Sequence, residues 1–220
     1  MVSETDESSL RHSKAELSAV LDDSLEKAKR EAANALRQTE RVRQLVLTAL
    51  DGRQFRLRPS TILDLNRCAI NGLDAYAGLW RPGAVEIGQS AHVPPGAHLV
   101  PECAEEMCDY VNENWQIRSA IHLASFVMWR LNWIHPFTDG NGRTSRAASY
   151  LVLSVRSGAW FPGLETIPEQ IVANRTPYYS ALESADKKIL KCRFFIHDRH
   201  RTGNGRVTRL DVCKTTEKCF

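Results

Sequence analysis

The sequence predicts an all-α fold that carries a small β-hairpin. Two apolar helical stretches flank a polar loop at residues 135–146, and a long amphipathic stretch precedes them. Residues 76–101 differ, since they are rich in Gly and Pro and contain two short β-like pieces. A length of 220 residues and a hydrophobic content of 43% suit a soluble domain with extensions, without a stretch apolar enough to span a membrane.

One long amphipathic helix, or two in line, is expected between about Leu10 and Leu50. Apolar and small residues recur there at steps of three and four: Leu10, Leu17, Leu21, Leu25, Ala28, Ala32, Ala35, Thr39, Val42, Val46 and Ala49. The pattern favours packing against the rest of the domain. Self-association through this helix is the alternative, although its many alanines make a weak coiled-coil seam. After a turn at Asp51–Gly52, Pro59 is expected to open a second helix that runs to about Asn71.

Residues 76–101 are expected to form a hairpin on the helical body. Its strands are predicted near Val85–Ile87 and Ala97–Leu99, where short β-like pieces alternate with Gly and Pro. The next helix is predicted at Glu102–Trp115. The central helix is predicted at Ser119–Ile134, which is apolar on nearly all sides and therefore expected to be buried.

Residues 135–146 are expected to form a loop that ends on the start of another helix. Pro136 separates the loop from the central helix, and the next helix carries an apolar i, i+4 stripe that stops at Gly158. Backbone N–H groups at a helix start attract anions, and glycine at 140 and 142 lets a phosphate approach the backbone closely. We therefore expect Gly140 and Gly142 to lie in a phosphate-binding loop.

Four further side chains of this loop suit the transfer of a phosphate-bearing group. Arg143 and Arg146 lie three residues apart, so both project from one side of the helix and can hold successive phosphates. Asp139 is a hard oxygen ligand suited to Mg²⁺. His135 titrates near neutral pH and can accept a proton from an attacking hydroxyl. The residues alone indicate metal-assisted transfer of a phosphate-containing group from a nucleotide.

The loop reads His-Pro-Phe-Thr-Asp-Gly-Asn-Gly-Arg-Thr-Ser-Arg and resembles the signature of the Fic (filamentation-induced-by-cAMP) family at every specified position. The resemblance implies a protein adenylyltransferase that moves AMP from ATP to a Ser, Thr or Tyr hydroxyl and releases pyrophosphate. It implies that His135 is the base, that Asp139 holds Mg²⁺, and that Asn141 with the flanking glycine amides cradles the α- and β-phosphates. The first motif arginine would hold the β-phosphate and the second the γ-phosphate.

By the same resemblance, about residues 78–100 form the Fic flap, which holds the target protein by β-augmentation. The flap positions of interest are Arg81, Ile87, His92 and Pro95. Near the end of the domain, a short helix is predicted at Ile167–Ile171, and the next helix is expected to have Thr176 as N-cap and Pro177 at its first position. The resemblance further implies that Asn174 and Tyr178 lie near the adenine.

The chain is expected to divide into an N-terminal helical extension (1–58), a Fic domain (59–186) and a tail (187–220). The tail holds ten Lys and Arg against three Asp and Glu, whereas the whole chain has a net charge of +3. With little periodicity, the tail is expected to be mobile, and nucleic-acid binding by it is not favoured. A second half-motif at 203–209 lacks the base and the metal ligand, so no catalysis is assigned to it.

Two alternatives to adenylyl transfer stay open: transfer of another phosphate-bearing group, kinase-like or phosphocholine, and a nucleotide-binding regulator with little turnover. Gly140, Asn141 and Gly142 match the family pattern and favour transfer of an adenylyl group, since Fic relatives that phosphorylate depart from the pattern at these positions. Many Fic proteins carry an inhibitory helix with the pattern Ser/Thr-x-x-x-Glu-Gly/Asn, and Glu31 on the first helix lacks that pattern. The chain is therefore restrained by a separate partner, is unrestrained, or carries a motif that has drifted. A partner or a divergent N-terminal helix is favoured.

The cysteines and the N-terminus bear on location. The six cysteines form no Cys-x-x-Cys pair, and the polar, acidic N-terminus is unlike a signal peptide. Reduced thiols and the absence of a leader predict a cytoplasmic protein that does not associate with a membrane.

Overall fold

The structure, a computed structural model, describes residues 13–14, 20, 23–52, 54–88, 90–161 and 174–200. It confirms the all-α class. Two very short strands accompany six helices in the described residues: β1 (Ser13–Lys14), α1 (Ser24–Leu50), α2 (Pro59–Ile70), β2 (Glu86–Ile87), α3 (Val100–Glu113), α4 (Ala120–Ile134), α5 (Asn141–Ser157) and α6 (Arg175–His200). The chain forms two compact units, Met1–Gly163 and Leu164–Phe220.

The first helix begins at Ser24, whereas the apolar pattern predicted a start near Leu10. The Asp23 carboxylate caps this end, because it accepts hydrogen bonds from the backbone N–H groups of Leu25 at 2.8 Å and Glu26 at 3.2 Å. An aspartate that satisfies two N-terminal donors sets a helix start more firmly than a continuing apolar pattern does.

The buried face of α1 is partly polar. It comprises Asn34, Gln38, Val42 and Val46. The Asn34 amide donates a hydrogen bond to the Asn71 carbonyl, just after α2, at 2.9 Å. The Gln38 amide donates one to the Leu65 carbonyl, within α2, at 2.9 Å. The small residues predicted to face the body are exposed instead: Ala28, Ala32, Ala35 and Thr39. Val42 and Val46 are buried as predicted. The prediction was wrong for the first half of α1, because alanines bury little area, whereas the two amides gain hydrogen bonds to backbone carbonyls.

The helices from α2 to α5 lie close to their predicted positions and enclose the core. The apolar α4 is buried as predicted and packs against α3 and α5, while α5 also contacts α1 and α2. Gly158 ends α5 in the left-handed conformation, with φ 72°. Fully buried side chains from α2 to α5 include Ile62, Ile70, Met107, Leu123, Leu131 and Leu151. The loop between α4 and α5 is therefore held at both ends by core helices.

The predicted hairpin is only half present. Glu86–Ile87 is a strand, but Ala97–Leu99 forms a turn of 3₁₀ helix that leads into α3. Pro94 and Pro95 lack N–H donors, and Pro101 suits the first turn of a helix, so the second half of the segment favours helix entry over strand pairing. The strand pairs instead with β1, antiparallel, with Ser13 opposite Ile87.

The second unit contains α6, which begins at Arg175 rather than after Thr176 as N-cap. It runs through residue 187, the expected start of the tail, to His200, since no Pro or Gly interrupts the chain between Pro177 and Gly203. The short helix predicted at Ile167–Ile171 and the second half-motif lie outside the described residues. Within the described residues, none of the helices is both long and apolar enough to cross a bilayer.

Candidate active site

The loop of residues 135–146 begins where α4 ends. His135 is the C-cap of α4 and adopts a left-handed conformation, with φ 49° and ψ 60°. Among the described residues it is the only one other than glycine with a positive φ. Such a conformation costs a non-glycine residue about 1–2 kcal/mol, so the surrounding contacts must hold it. Pro136 then prevents the helix from continuing, as predicted.

The His135 imidazole is buried, with 6% of the residue exposed. Its Nδ1 lies 3.3 Å from the Asn132 carbonyl oxygen, which can only accept, so Nδ1 donates and Nε2 carries the lone pair. Burial lowers the pKa of His135 to about 4; the hydrogen bond to Asn132 opposes this shift, and the Arg81 and His92 charges add to it. His135 is therefore neutral at physiological pH and able to accept a proton.

Asn141 closes the loop on itself. Its side-chain Oδ1 accepts a hydrogen bond from the Phe137 N–H at 3.0 Å, and its Nδ2 donates to the Phe137 carbonyl at 2.8 Å. Phe137 is 1% exposed and stacks on Trp80 with ring centroids 5.4 Å apart. The Asn141 side chain thus braces the loop, and its expected contact with phosphates stays a prediction.

Asn66, which sequence reasoning missed, supports the loop from α2. Its Nδ2 lies 3.1 Å from the Asp139 carbonyl and 3.3 Å from the Thr144 hydroxyl, while its Oδ1 accepts from the Gly78 N–H at 3.0 Å. The residue is fully buried. The signal in the sequence was an amide among the apolar residues of α2, because a buried amide must find hydrogen-bond partners.

Arg81 joins the flap to His135. Its backbone N–H donates to the Pro136 carbonyl at 2.9 Å, and its Nε donates to the His135 carbonyl at 2.8 Å. The other guanidinium nitrogens donate to flap carbonyls, those of Gly83 at 2.7 Å and Pro95. The side chain is buried, which lowers the pKa of Arg81. One guanidinium therefore fixes the flap and the left-handed backbone of His135 together.

Two further contacts hold this part of the molecule in place. The His92 Nε2 donates to the Trp133 carbonyl at 2.8 Å, a second link between the flap and the end of α4. The Asp74 carboxylate accepts from the Thr138 hydroxyl, with 3.0 Å to either oxygen. Of the flap positions chosen from the sequence, Arg81, His92 and Pro95 thus contribute to the support of the loop.

The N-terminus of α5 is suited to an anion. Its N-cap, Gly140, has φ 76° and offers no side-chain cap, and the first turn contains no acidic residue. A Cβ at Gly140 would lie 2.7 Å from Ile70 Cγ2, and one at Gly142 would lie 3.2 Å from Arg146 Nη1. The positive φ and the close packing therefore require glycine at position 140, whereas at position 142 the mobile guanidinium of Arg146 can shift by a few tenths of an ångström. Arg143 and Arg146 add positive charge to the positive end of the helix dipole.

Arg143 contacts two carboxylates. Its Nη2 lies 2.8 Å from Asp139 Oδ2, and its Nη1 lies 3.7 Å from Oε1 of Glu31 on α1. The other oxygen of Asp139 accepts from the Gly140 N–H at 2.6 Å. Sequence reasoning gave Glu31 no defined role, because it lies on α1 without the inhibitory pattern. The structure brings it to the first motif arginine.

The structure brings most of the predicted site residues together on the loop and the first turns of α5: His135, Asp139, Gly140, Asn141, Gly142, Arg143 and Arg146. Asn174 and Tyr178 belong to the second compact unit. There the Tyr178 N–H donates to the Asn174 carbonyl at 3.3 Å. Their expected position near an adenine stays a prediction.

Known proteins resemble part of this chain. Protein adenylyltransferase fic-1 of Caenorhabditis briggsae is 35% identical over 127 residues, which cover 57% of this chain and 23% of that protein. The chain thus spans about a quarter of that relative's length. Protein adenylyltransferase Fic of Drosophila willistoni is 34% identical over 130 residues, 57% of this chain and 24% of that protein.

A solved structure has the same fold. Residues 134–508 of Fic-1 from C. elegans match with a TM-score of 0.58 and 24% identity, over 76% of this chain and 46% of that one. The family described as Fic/DOC matches residues 56–153, which include α2 to α4, the flap, the whole catalytic loop and most of α5. Residues 56–153 therefore resemble the Fic/DOC family in sequence, and the chain resembles a Fic protein in fold.

Proposed function

We propose that this protein is an adenylyltransferase that moves AMP from ATP to a Ser, Thr or Tyr hydroxyl of a target protein. The observation that carries the proposal is a buried, neutral His135 directly before a helix N-terminus that has two arginines and no side-chain cap. His135 can accept a proton, and the helix N-terminus with its two arginines can hold a polyphosphate. The relatives named protein adenylyltransferase support the same reaction.

In this proposal the start of α5 binds the phosphates of ATP. The backbone amides of Asn141 and Gly142 meet the α- and β-phosphates, Arg143 holds the β-phosphate and Arg146 the γ-phosphate. Both arginines are partly exposed, so a ligand can reach them from solvent. Asn174 and Tyr178 are proposed to contact the adenine, on the family resemblance alone.

Asp139 fits a magnesium site of the kind that forms with a nucleotide. Its carboxylate is about half exposed. The described residues contain no cluster of three His, Cys, Asp or Glu side chains suited to a metal. Mg²⁺ commonly uses one or two carboxylates together with substrate phosphates, so a single carboxylate beside a phosphate site suffices. When bound, Mg²⁺ would neutralise charge on the phosphate oxygens.

The proposed chemistry needs one proton acceptor. The target hydroxyl oxygen attacks the α-phosphorus of ATP, His135 takes the hydroxyl proton, and the bond from the α-phosphorus to the bridging oxygen breaks to release pyrophosphate. A pKa of about 4 makes the imidazole a weak base in the free protein. The negative charge of bound ATP raises that pKa and improves the base. Arg81 contributes by holding the His135 backbone.

Glu31 is proposed to restrain nucleotide binding. Its carboxylate lies 3.7 Å from Arg143 and competes with a phosphate for that guanidinium. The restraint would thus come from this chain's own N-terminal helix, one of the two sources expected from the sequence. A target protein is proposed to dock along the flap, and the protein is proposed to be cytoplasmic.

The direct test is incubation with Mg²⁺ and ATP labelled at the α-phosphate, with and without cell lysate. We expect label on protein, its loss in His135→Ala, and its retention in Arg43→Ala, which removes an exposed side chain of α1 outside the loop and the flap. Transfer from γ-labelled ATP alone would identify a kinase. ATP binding without transfer of either label would identify a nucleotide-binding regulator.

A further inference from the structure

The flap strand β2 already has a partner from a distant part of the chain. β1 pairs with it in antiparallel register, with Ser13 opposite Ile87 and Lys14 opposite Glu86. The partner predicted from the sequence, residues 97–99, forms 3₁₀ helix instead. Among the described residues, β1 is therefore the only strand on β2.

Backbone pairing of this kind depends little on side chains. A strand edge offers N–H and C=O groups to any extended segment, and side chains add specificity through neighbouring pockets. A target segment that adds to β2 at this edge needs the same backbone groups that β1 uses. The two segments would then compete for one edge.

The segment that bears β1 is attached to the domain on its C-terminal side. The Val20 N–H donates to the Leu73 carbonyl at 3.0 Å, and Asp23 caps α1 three residues later. A short tether keeps a segment at an effective concentration on the order of millimolar near its site. Even weak pairing by two residues can therefore persist against a free competitor.

The occupied edge is fixed relative to the base. Arg81 donates to the carbonyls of His135 and Pro136, and His92 donates to the Trp133 carbonyl, so the flap cannot move far without breaking contacts of the catalytic loop. A segment paired with β2 thus keeps a defined position relative to His135.

We propose that residues 13–14 are an intramolecular occupant of the β2 edge, and that a target protein docks by displacing them with an extended segment of its own. This inference rests on the proposed function, because it assigns the flap edge to the protein substrate. It predicts a restraint on target binding that leaves ATP binding unchanged.

The test compares the full chain with Ser13→Pro/Lys14→Pro, which removes both backbone N–H donors of β1, and with Ser13→Ala/Lys14→Ala, which keeps them. Hydrogen exchange at the amides of residues 86 and 87 reports the pairing. The rate of α-label transfer to protein, measured over a series of lysate protein concentrations, reports docking. ATP affinity is measured in parallel by titration.

Consecutive N–H groups of a strand point to opposite edges, so only one of the amides of residues 86 and 87 faces β1. We expect faster exchange at that amide in the proline variant alone. Removal of a tethered competitor should also ease docking. We therefore expect the proline variant to reach half-maximal transfer at a lysate protein concentration at least about threefold lower than the wild type does. Equal transfer curves in all three proteins would refute the competition. Equal effects of the alanine and proline variants would refute backbone pairing as its cause. No transfer by any of them, with ATP bound, would refute the proposed function and this inference with it.

Discussion

The sharpest test of the site concerns Glu31, whose carboxylate lies 3.7 Å from the Arg143 guanidinium. Glu31→Gln keeps the shape of the side chain and removes its charge. Two unit charges at that distance attract by about 1 kcal/mol in water. The side chains are 43% and 28% exposed, so solvent screening leaves between about 0.2 and 1 kcal/mol. Loss of this competitor should tighten ATP binding by up to about fivefold.

The assay is calorimetric titration with ATP at low salt, in the wild type, Glu31→Gln and the matched control Glu26→Gln. Glu26 lies on the same helix and pairs with Lys29 at 2.8 Å, with both side chains more than half exposed. The gain should shrink at high salt, because screening weakens the pair that the substitution removes. In an Arg143→Ala background, Glu31→Gln should have no effect, since the interaction is already absent.

Three results would refute the reasoning. Unchanged or weaker ATP binding in Glu31→Gln would show that the carboxylate does not compete with phosphate at Arg143. An equal gain in Glu26→Gln would assign the effect to the net charge of α1. A gain that survives in the Arg143→Ala background would assign it to another partner of Glu31.

Three further predictions concern stability and the base. Folding lowers the His135 pKa from 6.5 to about 4. As pH falls from about 7.5 to about 4, the free energy of unfolding of the wild type should therefore drop by roughly 3 kcal/mol relative to that of His135→Gln, measured by urea titration. Gly140→Ala should cost about 1–3 kcal/mol by the same method, since its Cβ would meet Ile70, whereas Gly83→Ala, with open space around it, should change stability by less than about 0.5 kcal/mol. Arg81→Met should lower kcat for α-label transfer at least about tenfold with ATP affinity unchanged, and Arg81→Lys should restore part of it; a parallel loss of ATP affinity would contradict a positioning role.

The sequence was most informative where the signals are local. The apolar stretch that became α4, Pro136, the two glycines of the loop and Gly158 each act on the backbone within a few residues. They were sufficient to predict the loop between two core helices and the helix start that carries Arg143. Local steric and capping rules decide such features, so no knowledge of distant residues is needed.

The missed features depend on residues far apart in the chain. Asn66 reaches the loop across more than seventy residues, and Ser13 pairs with Ile87 across a similar separation. Apolar periodicity also failed in the first half of α1, since Asn34 and Gln38 hold that part of the helix through hydrogen bonds to backbone carbonyls. Buried polar contacts follow no simple repeat, and a single sequence does not reveal their partners.

The same two amides explain why Glu31 meets Arg143. Residues 31, 34 and 38 fall at i, i+3 and i+7 and therefore share one face of α1. Asn34 and Gln38 donate to two backbone carbonyls, one within α2 and one just after it, and these bonds fix the rotation of α1 about its axis. The Glu31 carboxylate is therefore directed to α5. A partly exposed ion pair can restrain ATP binding only about fivefold. Stronger restraint of the reaction would have to act on the other substrate, the target protein. β1 on the flap edge would restrain docking of that protein independently of Glu31. The effects on ATP binding and on target docking would therefore multiply when both substrates are scarce.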